Sequence, residues 1–191
     1  MIKKIAVFVG SLRKESFNRK MAIALTKLAP VSLALEIIEI EKLPLYNQDY
    51  DDEGKPPKEW TEFRERVKPF DGVLFVTPEY NRSVPAVLKN ALDVGSRPYG
   101  ESVWGGKPGA VISVSPGVIG GFGANHHLRQ SLVFLNIPTL QQPEAYIGNA
   151  AQLFAADGNI TNEATRKFLE DFMDVCAKWV LKISDSVLHS R

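Results

Sequence analysis

The sequence predicts an α/β protein in which helices cover both faces of a five-stranded parallel sheet. Three short apolar runs rich in β-branched residues, at 5–9, 72–77 and 110–114, carry this prediction, because the strands of a parallel sheet are buried on both faces. Segments with helical spacing separate the runs, and such alternation implies right-handed parallel crossovers. We find no internal repeat and no linker, so we expect a single domain over residues 1–191.

The N-terminal elements follow one another with clear changes of pattern. After the strand at 5–9, apolar residues recur at helical spacing over 21–29. Residues 31–40 alternate for much of their length, which is typical of a second strand. Residues 42–57 are rich in Pro and Asp and are expected to form a long surface loop. Apolar residues between positions 60 and 67 then mark a short helix.

The remaining elements continue the alternation. They are a strand at 72–77, a helix at 84–94, a strand at 110–114, a helix at about 125–134, a short strand near 138–147 and a closing amphipathic helix at 162–188. Pro85 suits the first turn of its helix. Five strands in this length fit the flavodoxin-like order 2-1-3-4-5 better than a six-strand dinucleotide fold, and ligands of such sheets bind at the carboxyl ends of the strands. The turns after residues 9, 77 and 114 therefore form the expected site.

The composition excludes several classes of protein. The net charge is only +1, so no large basic surface for nucleic acid or an anionic membrane is expected. Cys176 is the single cysteine, which excludes an intrachain disulfide and a Cys-rich metal site. The apolar run before Gly10 is shorter than the roughly 7 residues of a secretory core, and no run approaches the roughly 20 residues that span a bilayer. We therefore expect a cytoplasmic protein without membrane insertion.

The first turn, "GSLRKESFN" at 10–18, leads from a strand into a helix N-terminus, where free N–H groups and the helix dipole favour an anion. Ser11, Ser16 and Asn18 add neutral donors, and Arg13 adds a charged fork suited to phosphate. The turn lacks both G-x-x-x-x-G-K-[ST] and G-x-G-x-x-G, which favours a terminal monophosphate. The alternative is a helix cap at Ser16 with solvated basic neighbours.

The second and third turns have the composition of a ring-binding surface. "TPEYNRSVP", at 77–85, holds an aromatic ring and an amide between two prolines that stiffen the backbone, an arrangement that can clamp a flat heterocycle. Its alternative is an ordinary turn with Tyr80 on the surface. In the third turn, four glycines between 115 and 123 permit close approach of the backbone to a ligand that Ser115 can also reach. Its alternative is a flexible loop.

Taken together, the three turns resemble those of the NADPH-dependent FMN reductase family, a flavodoxin-like group that includes quinone and chromate reductases. Residues 10–18 match the family's G-S-x-R-x-x-S-x-N phosphate loop, and residues 78–93 match its P-E-Y-N-x-S-x-P-x-x-L-K-N-x-x-D segment. Residues 115–121, "SPGVIGG", resemble its third flavin loop. The resemblance extends over nearly the whole chain, with Val94 standing where members often have Trp.

The resemblance implies a bound FMN and assigns residues to it. The FMN phosphate would be held by Ser11, Arg13, Ser16, Phe17 (through its backbone) and Asn18. The isoalloxazine would be lined by Pro78, Glu79, Tyr80, Asn81 and Ser83, and completed by Ser115 and Gly117. No metal and no catalytic side chain is expected, because FMN carries the chemistry.

The resemblance also implies the activity. NADPH or NADH would reduce FMN in a ping-pong reaction, and a quinone or another acceptor such as chromate would reoxidise it, in a cytoplasmic homodimer or homotetramer. Two further functions stay open: a flavin reductase that supplies reduced FMN to a partner, and a non-catalytic flavodoxin-like electron carrier. The near-neutral charge counts against the carrier, because carriers of that type tend to be strongly acidic.

Some residues carry chemistry outside these motifs. The acidic cluster of residues 49–53 lacks calcium-loop spacing and is expected to be a solvated loop. Cys176 lies on the apolar face of the last helix and is expected to be buried. Glu79 is expected to make structural hydrogen bonds, because hydride transfer requires no acid–base group. Arg82 has two open interpretations, a contact for an anion at the mouth of the site or a solvated cation.

Overall fold

The computed structural model describes residues 2–155 and 158–188. Within them, five parallel strands form one sheet in the order β2-β1-β3-β4-β5, which confirms the predicted flavodoxin-like topology. The strands are β1 Lys3–Val9, β2 Leu33–Ile38, β3 Gly72–Thr77, β4 Gly109–Val114 and β5 Ala145–Ile147. The helices are α1 Phe17–Leu28, α2 Gln48–Asp52, α3 Lys58–Val67, α4 Ala86–Gly95, α5 Phe122–Phe134 and α6 Glu163–Leu188, with one 3-10 turn at Ala150–Gln152.

Alternate residues of the central strands enter two cores on opposite faces of the sheet. Val7 of β1 packs in a cluster with α1 and α6, whereas Phe8, its neighbour, packs in a cluster with α3, α4 and α5. The Trp104 ring lies 5.3 Å from the Phe8 ring, edge to face, and its Nε1 donates to the Leu92 carbonyl at 3.0 Å. Because both faces are covered, the apolar runs of β1, β3 and β4 are buried throughout, as their composition predicts.

Several predicted elements differ from the structure in extent: the first helix begins at Phe17 rather than at residue 21, and the second strand is Leu33–Ile38 rather than 31–40. The strand predicted at 138–147 is shorter, and only residues 145–147 join β4. Pro138 and Pro143 have no N–H to donate to a ladder, so the preceding stretch contributes just a bridge from Thr139 to Gly109. Helix α5 begins at Phe122, three residues earlier than predicted, because its first turn is capped from elsewhere in the chain.

The acidic segment after β2 is more ordered than predicted. It contains α2, whose first turn is capped by Asn47 Oδ1 accepting from the Asp49 N–H at 3.1 Å. The Asp51 side chain is only 4% exposed and makes two 2.8 Å bonds to Arg64 of α3. Arg64 Nε also donates to the Val94 carbonyl at 2.9 Å. The prediction of a solvated acidic loop is therefore wrong at Asp51, because a buried guanidinium on α3 requires a counterion.

Neither a membrane-spanning helix nor a cluster of potential metal ligands occurs among the described residues. No helix there combines the length and the apolar character needed to cross a bilayer. In residues 2–155 and 158–188, no three His, Cys, Asp or Glu side chains lie together as metal ligands would. Cys176 is buried as expected, and burial raises the pKa of its thiol to about 12, so it stays a protonated apolar group at neutral pH.

Candidate functional site

The three turns singled out in the sequence leave neighbouring strands at the same edge of the sheet. Val9 at the end of β1 pairs with Val76 of β3, and Thr77 at the end of β3 pairs with Ser113 of β4. Parallel strands have all their carboxyl ends on one side. The turns at 10–16, 78–85 and 115–121 therefore start within a few residues of one another in register.

The first and second turns touch at Gly10. Its N–H donates to the Val76 carbonyl at 2.9 Å. A Cβ built at Gly10 would lie 3.1 Å from Pro78 Cδ and 3.2 Å from Thr77 Oγ1, closer than side chains normally approach. Glycine at position 10 therefore allows the neighbouring turn to pack this closely.

The start of α1 carries the donors expected of an anion site. Ser16 Oγ accepts from the Arg19 N–H at 3.2 Å, and the Ser16 carbonyl accepts from the Lys20 N–H at 3.0 Å. This cap leaves the N–H groups of Phe17 and Asn18, in the first helical turn, without intrahelical partners. The Ser16 hydroxyl hydrogen is also still available, so the cap and an anion site are compatible at the same serine.

Side chains around this helix end add hydroxyls and one charge. Ser11 and Ser16 are 7% and 2% exposed, whereas Arg13 is exposed and forms no ion pair with the described residues. Arg19, by contrast, is held in two bonds to Glu39 at 2.5 and 3.1 Å, and this hydrogen-bonded pairing lowers the pKa of Glu39. Two N–H groups, two hydroxyls and one free guanidinium form a donor set that fits a phosphate.

Asn18 connects this helix end to β4 and leaves one acceptor unused. The residue is 4% exposed, and its Nδ2 donates to the Val114 carbonyl at 3.3 Å. That contact fixes the amide orientation, because a carbonyl can only accept. Asn18 Oδ1 is then buried without a hydrogen-bond partner among the described residues. An unpaired buried acceptor costs about 1–3 kcal/mol, so this atom indicates a donor that the chain itself does not supply.

The second turn is a tight hairpin. The Tyr80 N–H donates to the Ser83 carbonyl at 3.1 Å, and the Ser83 N–H donates back at 2.9 Å. Asn81 and Arg82 between them have φ values of 50° and 64°, as in the type I′ turns that prefer Asn-Gly. Arginine pays a steric penalty in this conformation that glycine does not. Strained residues of this kind cluster at functional sites.

Glu79 joins the hairpin to the start of α5. Its side chain is 11% exposed. Oε2 accepts from the Ala124 N–H at 3.1 Å, and Oε1 accepts from Arg82 Nη1 at 3.2 Å. Gly121 precedes α5 at φ 78° and has no side chain to cap the helix. The expected hydrogen-bonding role of Glu79 is present, and the carboxylate is committed to the protein, which leaves the Glu79 backbone for any ligand.

The third turn packs closely against the backbone of β5 at the sheet edge. A Cβ at Gly120, where φ is 66°, would lie 2.6 Å from the Tyr146 carbonyl carbon. Ser115 Oγ accepts from the Gly117 N–H at 3.2 Å, and the Ser115 carbonyl accepts from the Ala150 N–H at 3.2 Å. These contacts hold both ends of the turn in place. The glycines of the turn therefore allow close packing against the neighbouring backbone as well as close approach of a ligand.

Sequence reasoning missed an aromatic cluster beside the third turn. The Phe122 ring lies 4.3 Å from the His126 ring and 5.3 Å from the Tyr146 ring, and His126 Nε2 lies 2.8 Å from the Tyr146 hydroxyl. Burial, reinforced by Glu144, raises the pKa of Tyr146 to about 12. The i, i+4 spacing of Phe122 and His126 becomes visible only when the helix is known to begin at Phe122.

Exposed apolar side chains rim the same edge. They occur on each of the three turns and on the start of α5, namely Leu12, Tyr80, Val118, Ile119 and Phe122. A cavity of about 880 Å³ borders the first turn and extends toward β2 and α3; residues 11–14 line it, and residues of the second and third turns do not. The second and third turns thus carry an exposed apolar margin outside this cavity.

Comparison with known proteins agrees with this geometry. The family model for NADPH-dependent FMN reductase matches residues 3–152, which include all three turns. A quinone reductase of Pseudomonas putida is 63% identical over 179 residues, which cover 94% of this chain and 95% of that protein. A 2-hydroxy-1,4-benzoquinone reductase of a Burkholderia species is 52% identical over 180 residues, or 94% and 97% of the two chains.

A solved structure has the same architecture. FerB, a flavoenzyme NAD(P)H:(acceptor) oxidoreductase from Paracoccus denitrificans, is 44% identical to this chain and has a TM-score of 0.88, covering 95% of this chain and 98% of its own. The similarity thus extends over the sheet, both helical layers and the turns at the carboxyl edge.

Proposed function

The chain belongs to the NADPH-dependent FMN reductase family, and from this we propose that it is an FMN-dependent NAD(P)H oxidoreductase that reduces quinones. The observation that carries the proposal is the donor set at the start of α1, adjoining a hairpin and a glycine turn on neighbouring strands. When bound, FMN supplies the two-electron chemistry between NAD(P)H and the acceptor. The chain therefore needs to bind FMN, orient its ring and adjust its electronic properties. It does not need to supply a nucleophile or a metal.

The phosphate of FMN would lie at the N-terminus of α1. The N–H groups of Phe17 and Asn18 and the hydroxyls of Ser11 and Ser16 would donate to its oxygens, and Arg13 would add its charged fork. Both serines are buried, so their hydrogen bonds would form away from bulk water. Asn18 Oδ1, an acceptor, would meet a hydroxyl of the ribityl chain rather than a phosphate oxygen, because two acceptors repel each other.

The isoalloxazine would rest on the second and third turns. The ring site is built from residues that offer backbone groups, one aromatic ring and short polar side chains: Pro78, Glu79, Tyr80, Asn81, Ser83, Ser115 and Gly117. The paired strands of the hairpin and the anchored third turn hold these groups in place before a ligand arrives. Pre-organisation of this kind reduces the entropy lost on binding.

Quinones suit the open face of this site. The names of two relatives, a quinone reductase and a 2-hydroxy-1,4-benzoquinone reductase, support a quinone as acceptor. The apolar margin of Tyr80, Val118, Ile119 and Phe122 would contact a flat, weakly polar molecule lying over the flavin. Chromate stays a prediction of the sequence resemblance.

We also propose that the protein is a single domain and assembles in the cytoplasm as a homodimer or homotetramer. A cleft of about 540 Å³ lies between α4 and α5; Phe134, which lines it, is 90% exposed, and the preceding Val133 is 78% exposed. The cleft adjoins the ring site, because His127 Nδ1 lies 3.1 Å from Ser83 Oγ of the hairpin. A second copy covering this apolar surface would bury it. Light scattering of wild type and Phe134→Glu tests this, with a shift to monomer expected in the variant.

A direct experiment tests the function. The purified protein is mixed with FMN, its visible spectrum is recorded, and stopped-flow absorbance follows reduction by NADPH or NADH and reoxidation by benzoquinone. We expect bound flavin, rapid reduction and rapid reoxidation. A protein that takes up no FMN contradicts the proposal. Reduction without reoxidation by the quinone favours the carrier, and loss of flavin from the protein during turnover favours the flavin reductase.

A further inference from the structure

We propose that Glu79 is a positioning residue that sets the reduction potential of bound FMN, because its largely buried carboxylate occupies the N-terminus of α5 and places a fixed negative charge beside the hairpin of the ring site. The inference deepens the proposed function and rests on it. It assigns to Glu79 an electrostatic role that its place in a flavin-binding motif does not imply.

The Glu79 carboxylate lies at the N-terminus of α5, a position that favours anions. Ala124 is the third residue of α5, so its N–H is one of the orphan donors of the helix, and it donates to Glu79 Oε2 at 3.1 Å. Such N-termini carry a partial positive charge that attracts anions. Since Glu79 already accepts from this donor, its negative charge offsets part of the positive charge at the start of α5.

The local backbone is shaped to admit the carboxylate. A Cβ built on Gly123 would lie 2.9 Å from Glu79 Oε2 and 3.0 Å from the Arg82 carbonyl oxygen. Glycine at position 123 therefore leaves the space that the Glu79 carboxylate and the Arg82 carbonyl oxygen occupy against the first turn of α5.

The charge of Glu79 is only partly balanced. Arg82 Nη1 lies 3.2 Å from Oε1, but the Arg82 side chain is 77% exposed whereas that of Glu79 is 11% exposed. An exposed cation is partly screened by water and salt, so Arg82 offsets only part of the carboxylate's charge and Glu79 keeps a net negative field.

Reduction of a flavin adds negative charge to the ring system, near N1 and the C2 carbonyl. A fixed carboxylate between the hairpin and the start of α5 disfavours that charged form relative to the oxidised form. The carboxylate therefore lowers the potential of the bound flavin and favours onward transfer of electrons to the acceptor. Removing the charge while keeping the hydrogen bond should reverse the effect.

Glu79→Gln makes this change, because a Gln side-chain oxygen can still accept from the Ala124 N–H. The two-electron potential of the FMN-loaded protein is measured against reference dyes, and the Kd of oxidised FMN is measured by quenching of flavin fluorescence. We expect reduced FMN to gain on the order of tenfold in affinity relative to oxidised FMN, which corresponds to a potential about 30 mV more positive. Arg82→Ala is the matched control, because it removes the opposing charge at an exposed position; we expect a more negative potential.

The outcomes separate this inference from the function on which it rests. If the wild-type protein takes up no FMN, the proposed function fails first. If FMN binds and Glu79→Gln leaves the potential unchanged or makes it more negative, the inference is overturned. If Glu79→Gln does not fold, Arg82→Ala decides, and an unchanged potential in that variant overturns it. A merely structural role of Glu79 would weaken both redox forms of the flavin alike and leave the potential in place.

Discussion

Replacing Arg13 with alanine should weaken the binding of FMN and leave the binding of riboflavin unchanged, because riboflavin lacks the phosphate. Hydrogen bonds to charged groups contribute about 1.5–3 kcal/mol. Arg13 is exposed, and exposed ion pairs contribute about 0–1 kcal/mol. The phosphate would keep two backbone N–H groups and two buried hydroxyls. We therefore expect a loss of about 1.4 kcal/mol, which is a tenfold higher Kd.

Titration of flavin fluorescence with wild type and variant gives both Kd values. Lys14→Ala is the matched control, because Lys14 is the neighbouring exposed cation and its loss changes the net charge equally; we expect about a twofold effect from the long-range field alone. The Kd of Arg13→Lys for FMN should lie between those of the wild type and Arg13→Ala, because lysine keeps the positive charge but lacks the forked guanidinium. Equal losses for FMN and riboflavin in Arg13→Ala, or equal effects of the two alanine variants, would refute a phosphate contact at Arg13.

Three further predictions concern the scaffold of the site. Asp51→Asn leaves the buried Arg64 without its counterion, which should cost about 3–5 kcal/mol and lower the Tm by roughly 6–20 °C; Asp52→Asn, at the exposed last residue of α2, should shift the Tm by less than about 2 °C. Gly10→Ala forces a methyl group to 3.1 Å from Pro78 Cδ and should destabilise by about 1–3 kcal/mol, with weaker FMN binding; unchanged denaturant midpoints and FMN affinity would contradict the close approach. Cys176, with its pKa raised to about 12 by burial, should resist thiol reagents at pH 8 in the native protein and react after denaturation, and rapid native modification would contradict its burial.

Local patterns predicted the parts of the fold that local physics decides. Continuous apolar runs located β1, β3 and β4, and the turns at their carboxyl ends followed from topology. Contacts distant in sequence decided the rest. Asp51 looked solvated because its partner Arg64 lies on the next helix, and the start of α5 was misplaced because Ala124 is capped by a residue 45 positions earlier. Tyr146 joins Phe122 and His126 only across the sheet edge, a contact that no spacing in the sequence reveals.

Because Glu79 caps α5, the amide hydrogen of Ala124 reports on movement of the 79–83 hairpin. The Ala124 hydrogen can exchange with solvent deuterium only when the 79–83 hairpin lifts from the helix or α5 frays. Any ligand that steadies the hairpin from its other side should therefore slow deuterium uptake at Ala124 without touching that residue. Mass-resolved exchange of this one peptide would time the opening of the hairpin directly.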